Sequence, residues 1–119
     1  MITTYEISIL KTHILICYCK SFNEVKEYVV KNKILNNVKE EIMKLDEGFN
    51  GIVISDDITD EPFVFFIRKG RFSNELLVHE TNHLVHFYSK FFGFTDEIEF
   101  KAYLQEQLFR DFRRLINKK

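Results

Sequence analysis

At 119 residues the chain suits one compact domain over 1–119, since domains commonly run to about 100–150 residues and two would each be short of core. A hydrophobic fraction of 45% beside 29% charged residues is that of a globular protein, and 13 Phe make its core Phe-rich. A formal net charge of -1 excludes a global pull on nucleic acid or anionic lipid, and no apolar run approaches the roughly 18–20 residues of a membrane span. A cytoplasmic protein with neither nucleic acid nor membrane as partner is expected.

Residues 3 to 19 are rich in Ile, Tyr, Thr and Cys, which predicts one or two strands with a break near Lys11 and a central stretch over 13 to 19. Cys17 and Cys19 stand two apart there, so strand alternation puts both on one face with His13. Neighbouring strand cysteines rarely bridge, and the pair is expected to be reduced and buried. Ser21 and Glu24 have capping-box spacing ahead of a helix carrying Phe22, Val25, Val29 and Val30. Ile34, Leu35, Val38, Ile42 and Leu45 extend a helical stripe to about Asp46, where Gly48, Asn50 and Gly51 interrupt it.

GIVIS and PFVFFIR read as two strands around the acidic segment DDITDE, and Pro62 marks the second as an edge strand able to pair with an extended peptide. Ser73 or Asn74 can cap a helix from about 75 to 92, closed by Gly93 in the left-handed conformation that a missing side chain permits. A last helix from about 96 to 116 opens on Asp96, Glu97 and Glu99 and ends on Arg110, Arg113 and Arg114, the order that complements a helix dipole. The elements add up to an α+β fold: a small mixed or antiparallel sheet packed on N-terminal helices, followed by two C-terminal helices.

The chemistry concentrates in HETNH, residues 79 to 83. His79 and His83 are four apart, so at about 100° per residue they lie roughly 40° from each other on one helix face and can reach one cation. Glu80 sits about 100° round from His79, poorly placed as a ligand and well placed as a base toward a water at the metal. Zinc sites of the catalytic kind take three protein ligands, and His86, Asp96, Glu97 and Glu99 are the candidates. His86 lies too far along the same straight helix. A fold-back at Gly93 favours Glu99, which shares one face with Ala102, Tyr103 and Glu106. Tyr103 could then donate its hydroxyl to a developing oxyanion.

The segment LLVHETNHLVHFYSKFFGFTDEIEFKAYLQEQL, within roughly residues 75 to 108, resembles zincin-like metallopeptidase domains of the glutamate-ligand type, particularly small zinc peptidases encoded in bacteriophage genomes. In those proteins the HExxH helix is followed by one carrying Glu and, three residues later, Ala-Tyr, matched here by Glu99, Ala102 and Tyr103. The resemblance implies Zn2+ held by His79, His83 and Glu99, with Glu80 as catalytic base. Leu84 replaces the usual small residue after the second histidine, and no glycine follows near His86 and Ser89, which argues against a three-histidine zincin. The expected function is zinc-dependent hydrolysis of a peptide or protein substrate. The alternative is a catalytically silent zincin-fold binding or phage accessory protein.

Overall fold

A computed structural model of the chain describes residues 2–31, 40, 43, 51–54, 62–67 and 74–117. They form a small α+β fold whose chain divides into two compact units, Met1–Phe72 and Ser73–Lys119. Among the described residues no helix is long and apolar enough to cross a membrane.

The first unit is built on a four-stranded mixed sheet. Its strands are β1 (Ile2–Ile7), β2 (Thr12–Cys19), β3 (Gly51–Ile54) and β4 (Phe63–Ile67), in the order β1-β2-β4-β3. β1 and β2 are antiparallel and form a hairpin whose turn ends at Lys11, where φ is 53°. That left-handed conformation lies outside the extended region, so strand geometry is interrupted at the predicted break. β2 is interior, paired antiparallel to β1 and parallel to β4, with Ile14, Ile16 and Tyr18 buried on one face and Cys17 and Cys19 buried at the far end of the other. Helix α1 (Phe22–Lys31) follows at once and packs on β2, with Phe22 and Val25 buried.

Two capping contacts start α1. The Glu24 N–H donates to Ser21 Oγ at 3.4 Å, and the Lys20 N–H donates to Glu24 Oε2 at 3.0 Å. The side chain of Glu24 thus reaches back one residue further than the spacing predicts. Of the second predicted helical stretch, Glu40 and Met43 are helical and exposed, and its other residues lie outside the described ones, as does the segment DDITDE.

Pro62 does not mark an edge. β4 is an interior strand, bonded to β2 on one side and to β3 on the other, so β1 and β3 are the outer strands. Pro62 precedes the ladder, needs no N–H there, and its carbonyl accepts the Leu15 N–H at 3.1 Å. An extended peptide has no free β4 edge to join.

The second unit consists of helices α2 (Asn74–Phe92) and α3 (Ile98–Asn117), which pack on each other. The α2 helix stops where Gly93 takes φ 78°, and the Phe94 N–H then donates to the Ser89 carbonyl at 2.8 Å. This six-residue closure satisfies one of the last carbonyls of the helix. A Cβ on Gly93 would meet nothing within 4 Å, so the backbone conformation alone calls for glycine. The rings of Phe94 and Phe100 meet edge to face at 4.7 Å and fasten the turn into α3. Leu77, Leu84 and Tyr88 of α2 and Leu104, Leu108 and Phe112 of α3 are fully buried, and each Leu contributes about 1.5–3 kcal/mol by leaving water.

Candidate metal centre

His79 and His83 occupy successive turns of α2, and their Nε2 atoms stand 3.1 Å apart with the rings nearly perpendicular at 81°. Two imidazole nitrogens at about 2.0–2.1 Å from one tetrahedral zinc are roughly 3.4 Å apart, so the pair would have to open only slightly to share one ion. Both side chains are exposed, His79 to 66%, which leaves the nitrogens open to a cation from solvent. Without a cation, one ring must donate its Nε2–H to the other.

Glu80 lies between the exposed histidine face and the buried stripe of the same helix. Leu77 and Leu84, three before and four after it, are fully buried, and in that row the Glu80 side chain is only 5% exposed. Its Oε1 is 3.9 Å from His79 Nε2, while its Oε2 is buried with no hydrogen-bond partner. Burial pushes the carboxyl pKa up, and the charges of His79 and His83 pull it partly back. A buried carboxylate with a raised pKa and an unpartnered oxygen is a ready proton acceptor, and the unpartnered atom is a reason to seek a missing ligand or water. Thr81, the first variable residue of the motif, is structural: its hydroxyl donates to the Leu77 carbonyl at 2.8 Å and accepts from Gln105 Nε2 at 2.6 Å.

That last bond fixes how α3 meets α2. Gln105 on α3 is level with Thr81 on α2, and Thr81 lies on the buried side, about 160–200° round the helix from His79 and His83. Glu99 is six residues before Gln105, hence about 9 Å along the helix axis. It is also exposed, together with Ala102, Tyr103 and Glu106, on the side of α3 away from Leu104 and Leu108. The structure therefore brings together His79, His83 and Glu80, and does not bring Glu99 or Tyr103 to them. Tyr103 is 57% exposed, and His86 is exposed one turn beyond His83. Among the described residues no group of three or more His, Cys, Asp and Glu is arranged to hold a metal ion. The row Glu99, Ala102, Tyr103, Glu106 does form one face, as its spacing predicts. The competing row Leu104, Leu108, Phe112, Ile116 is the one that turns inward, because it removes far more apolar area from water.

The site residues that the sequence reading missed are Thr81 and Gln105, which couple the helices. A small hydroxyl inside the motif and one Gln on the flank of an apolar stripe gave little signal. Cys17 and Cys19 are free and buried on one face of β2, as predicted, with their sulfurs 3.1 Å apart, and His13 is half-exposed further along that face. No protein-family model matches the chain, and no curated protein and no solved structure is significantly similar to it.

Proposed function

We propose that this chain is a zinc-dependent hydrolase of peptide bonds, holding the ion through His79 and His83 with Glu80 as general base. The observation that carries this reading is the pair of Nε2 atoms at 3.1 Å with a buried, partly unpartnered carboxylate beside it. Zinc bound there would supply Lewis acidity to a substrate carbonyl and to an attacking water. Glu80 accepts the water proton at a carboxylate oxygen and passes it to the leaving amine, and the burial that raises its pKa makes it a stronger acceptor than a solvated carboxylate. His79 and His83 would each offer an Nε2 lone pair to the ion, and the helix holds them in place through the Leu77, Leu84 and Tyr88 stripe beneath.

A catalytic zinc takes three protein ligands. Glu99 is the ligand the motif resemblance implies, and its use requires α3 to present a different face from the one described above. Zinc retention across carboxylate variants assigns that ligand. The outward faces of Glu99 and Tyr103 favour a second reading, a zinc-binding module without turnover. Glu80→Gln separates the two, because the amide keeps the shape and accepts no proton. Zinc content measured by elemental mass spectrometry and cleavage of a peptide library are the readouts. A wild-type protein that carries no zinc after purification without chelator refutes both readings; zinc without cleavage refutes the first.

A further inference from the structure

The geometry points to Cys17 and Cys19 as a reversible oxidation site, a dithiol inside the sheet that a small hydroperoxide closes to a disulfide. The two sulfurs are 3.1 Å apart, both are free, and the chain holds no other cysteine, so each has one partner within reach. Two residues apart on an extended strand, their Cα atoms stand about 6.6 Å apart, just inside the roughly 4.4–6.8 Å that disulfides span. Closure is thus possible and strained. The strain is resisted from both sides, because Cys17 pairs with Ile2 of β1 and Phe65 of β4, and Cys19 with Ile67 of β4. Strained disulfides have high reduction potentials, so a small dithiol such as dithiothreitol reopens this one readily.

The two sulfurs are not equivalent. The hydrogen bond between the two sulfurs holds the Cys19 pKa down and pushes that of Cys17 up, while burial and Glu24 of α1 oppose ionisation of Cys19. Cys19 is also the residue with a trace of exposure, 5% against none for Cys17. Cys19 is therefore the nucleophile. Its thiolate attacks one peroxide oxygen; the S–O bond forms, the O–O bond breaks, and the departing hydroxide takes a proton from solvent to become water. Cys17 then attacks the sulfenic sulfur; the S–S bond forms, the S–O bond breaks, and hydroxide leaves with the Cys17 proton as a second water. Two thiols lose two electrons and two protons, and one hydroperoxide is reduced. A bulky disulfide such as oxidised glutathione has no path to sulfurs so enclosed.

The test uses the whole protein, treated under native conditions with hydrogen peroxide or with oxidised glutathione, then quenched, denatured and alkylated. Peroxide is expected to remove both alkylatable thiols, lower the intact mass by two hydrogens, leave the chain monomeric on a non-reducing gel, and be reversed by dithiothreitol. Oxidised glutathione is expected to leave both thiols free. In Cys17→Ser, peroxide should leave a sulfenic acid on Cys19 that dimedone traps. Two alkylatable thiols after peroxide, covalent dimers, or sulfinic acid without a disulfide would overturn the proposal, and dimedone on Cys17 in Cys19→Ser with none on Cys19 in Cys17→Ser would overturn the order of attack. The wild-type measurement stands whether or not the serine variants fold.

Discussion

His79 and His83 approach each other to 3.1 Å on a helix, and Cys17 and Cys19 approach to the same distance on a strand. The histidine pair faces outward and the cysteine pair is sealed. Equal proximity therefore leads to different chemistry. Exposed imidazoles keep their lone pairs available to an ion that arrives with its own hydration shell, whereas buried thiols admit only a reagent small enough to reach them without displacing the packing. Spacing along the chain brings donor atoms together. Burial decides what they can meet.

The largest effect that would sharpen this contrast is on turnover. Glu80→Gln is expected to lower hydrolysis by about 10²–10⁴-fold, the usual worth of a general base, with zinc content unchanged. Equal cleavage by both proteins would remove Glu80 from the chemistry. Next comes metal affinity, where His79→Ala or His83→Ala should weaken zinc by more than the roughly 10–100-fold that loss of an outer-shell partner costs. Calorimetric titration reads this directly, and Cys17→Ser with Cys19→Ser should leave the titration as it is. Zinc lost with the cysteines and kept without the histidines would invert the comparison.

A smaller effect is expected on the stability of the metal-free protein. Burial raises the Glu80 pKa, so the folded chain holds that proton more tightly than the unfolded one. The resulting stabilisation is present in full below the ordinary carboxylate pKa and is lost as pH rises through the raised value. Relative to Glu80→Gln, the metal-free wild type should gain stability as pH falls, a trend that melting curves across the acid range would reveal or refute. Gln105→Ala should cost about 1 kcal/mol by removing its bond to the Thr81 hydroxyl, measurable by urea unfolding. The smallest effect is expected of Glu99→Ala and Tyr103→Phe, within about 0.5 kcal/mol for exposed positions and without change in zinc affinity. A loss of zinc with Glu99→Ala would show that α3 turns its other face to the histidines.

What could be read from the chain was local. The turn at Lys11, the stop at Gly93 and the spacing of His79 and His83 depend on backbone sterics and helix period, which a few neighbouring residues set. Strand order and helix facing do not. Pro62 removes one donor from the backbone, but whether that donor was needed depends on which strands come to flank β4. The acidic and tyrosine row of α3 was legible as a row, yet its direction was decided by competition with Leu104, Leu108 and Phe112, which are wholly apolar and buried. Choosing by chemical resemblance favoured Glu99. Choosing by hydrophobic area would have turned it outward.

The sheet order carries a consequence for how the chain acquires its fold. β1 and β2 meet across a turn of four residues, whereas the parallel ladder of β2 and β4 begins by joining Leu15 to Phe63. Closing a loop of that length costs about 3 kcal/mol of chain entropy beyond the constant term before any ladder contact compensates, and helices α2 and α3 face no such delay. The β1–β2 hairpin and the C-terminal helix pair should thus form early, with β4 the late arrival that completes the sheet. Until it arrives, the β4 side of β2 is an open strand edge, and that interval is when the nascent chain is most exposed to pairing with its neighbours.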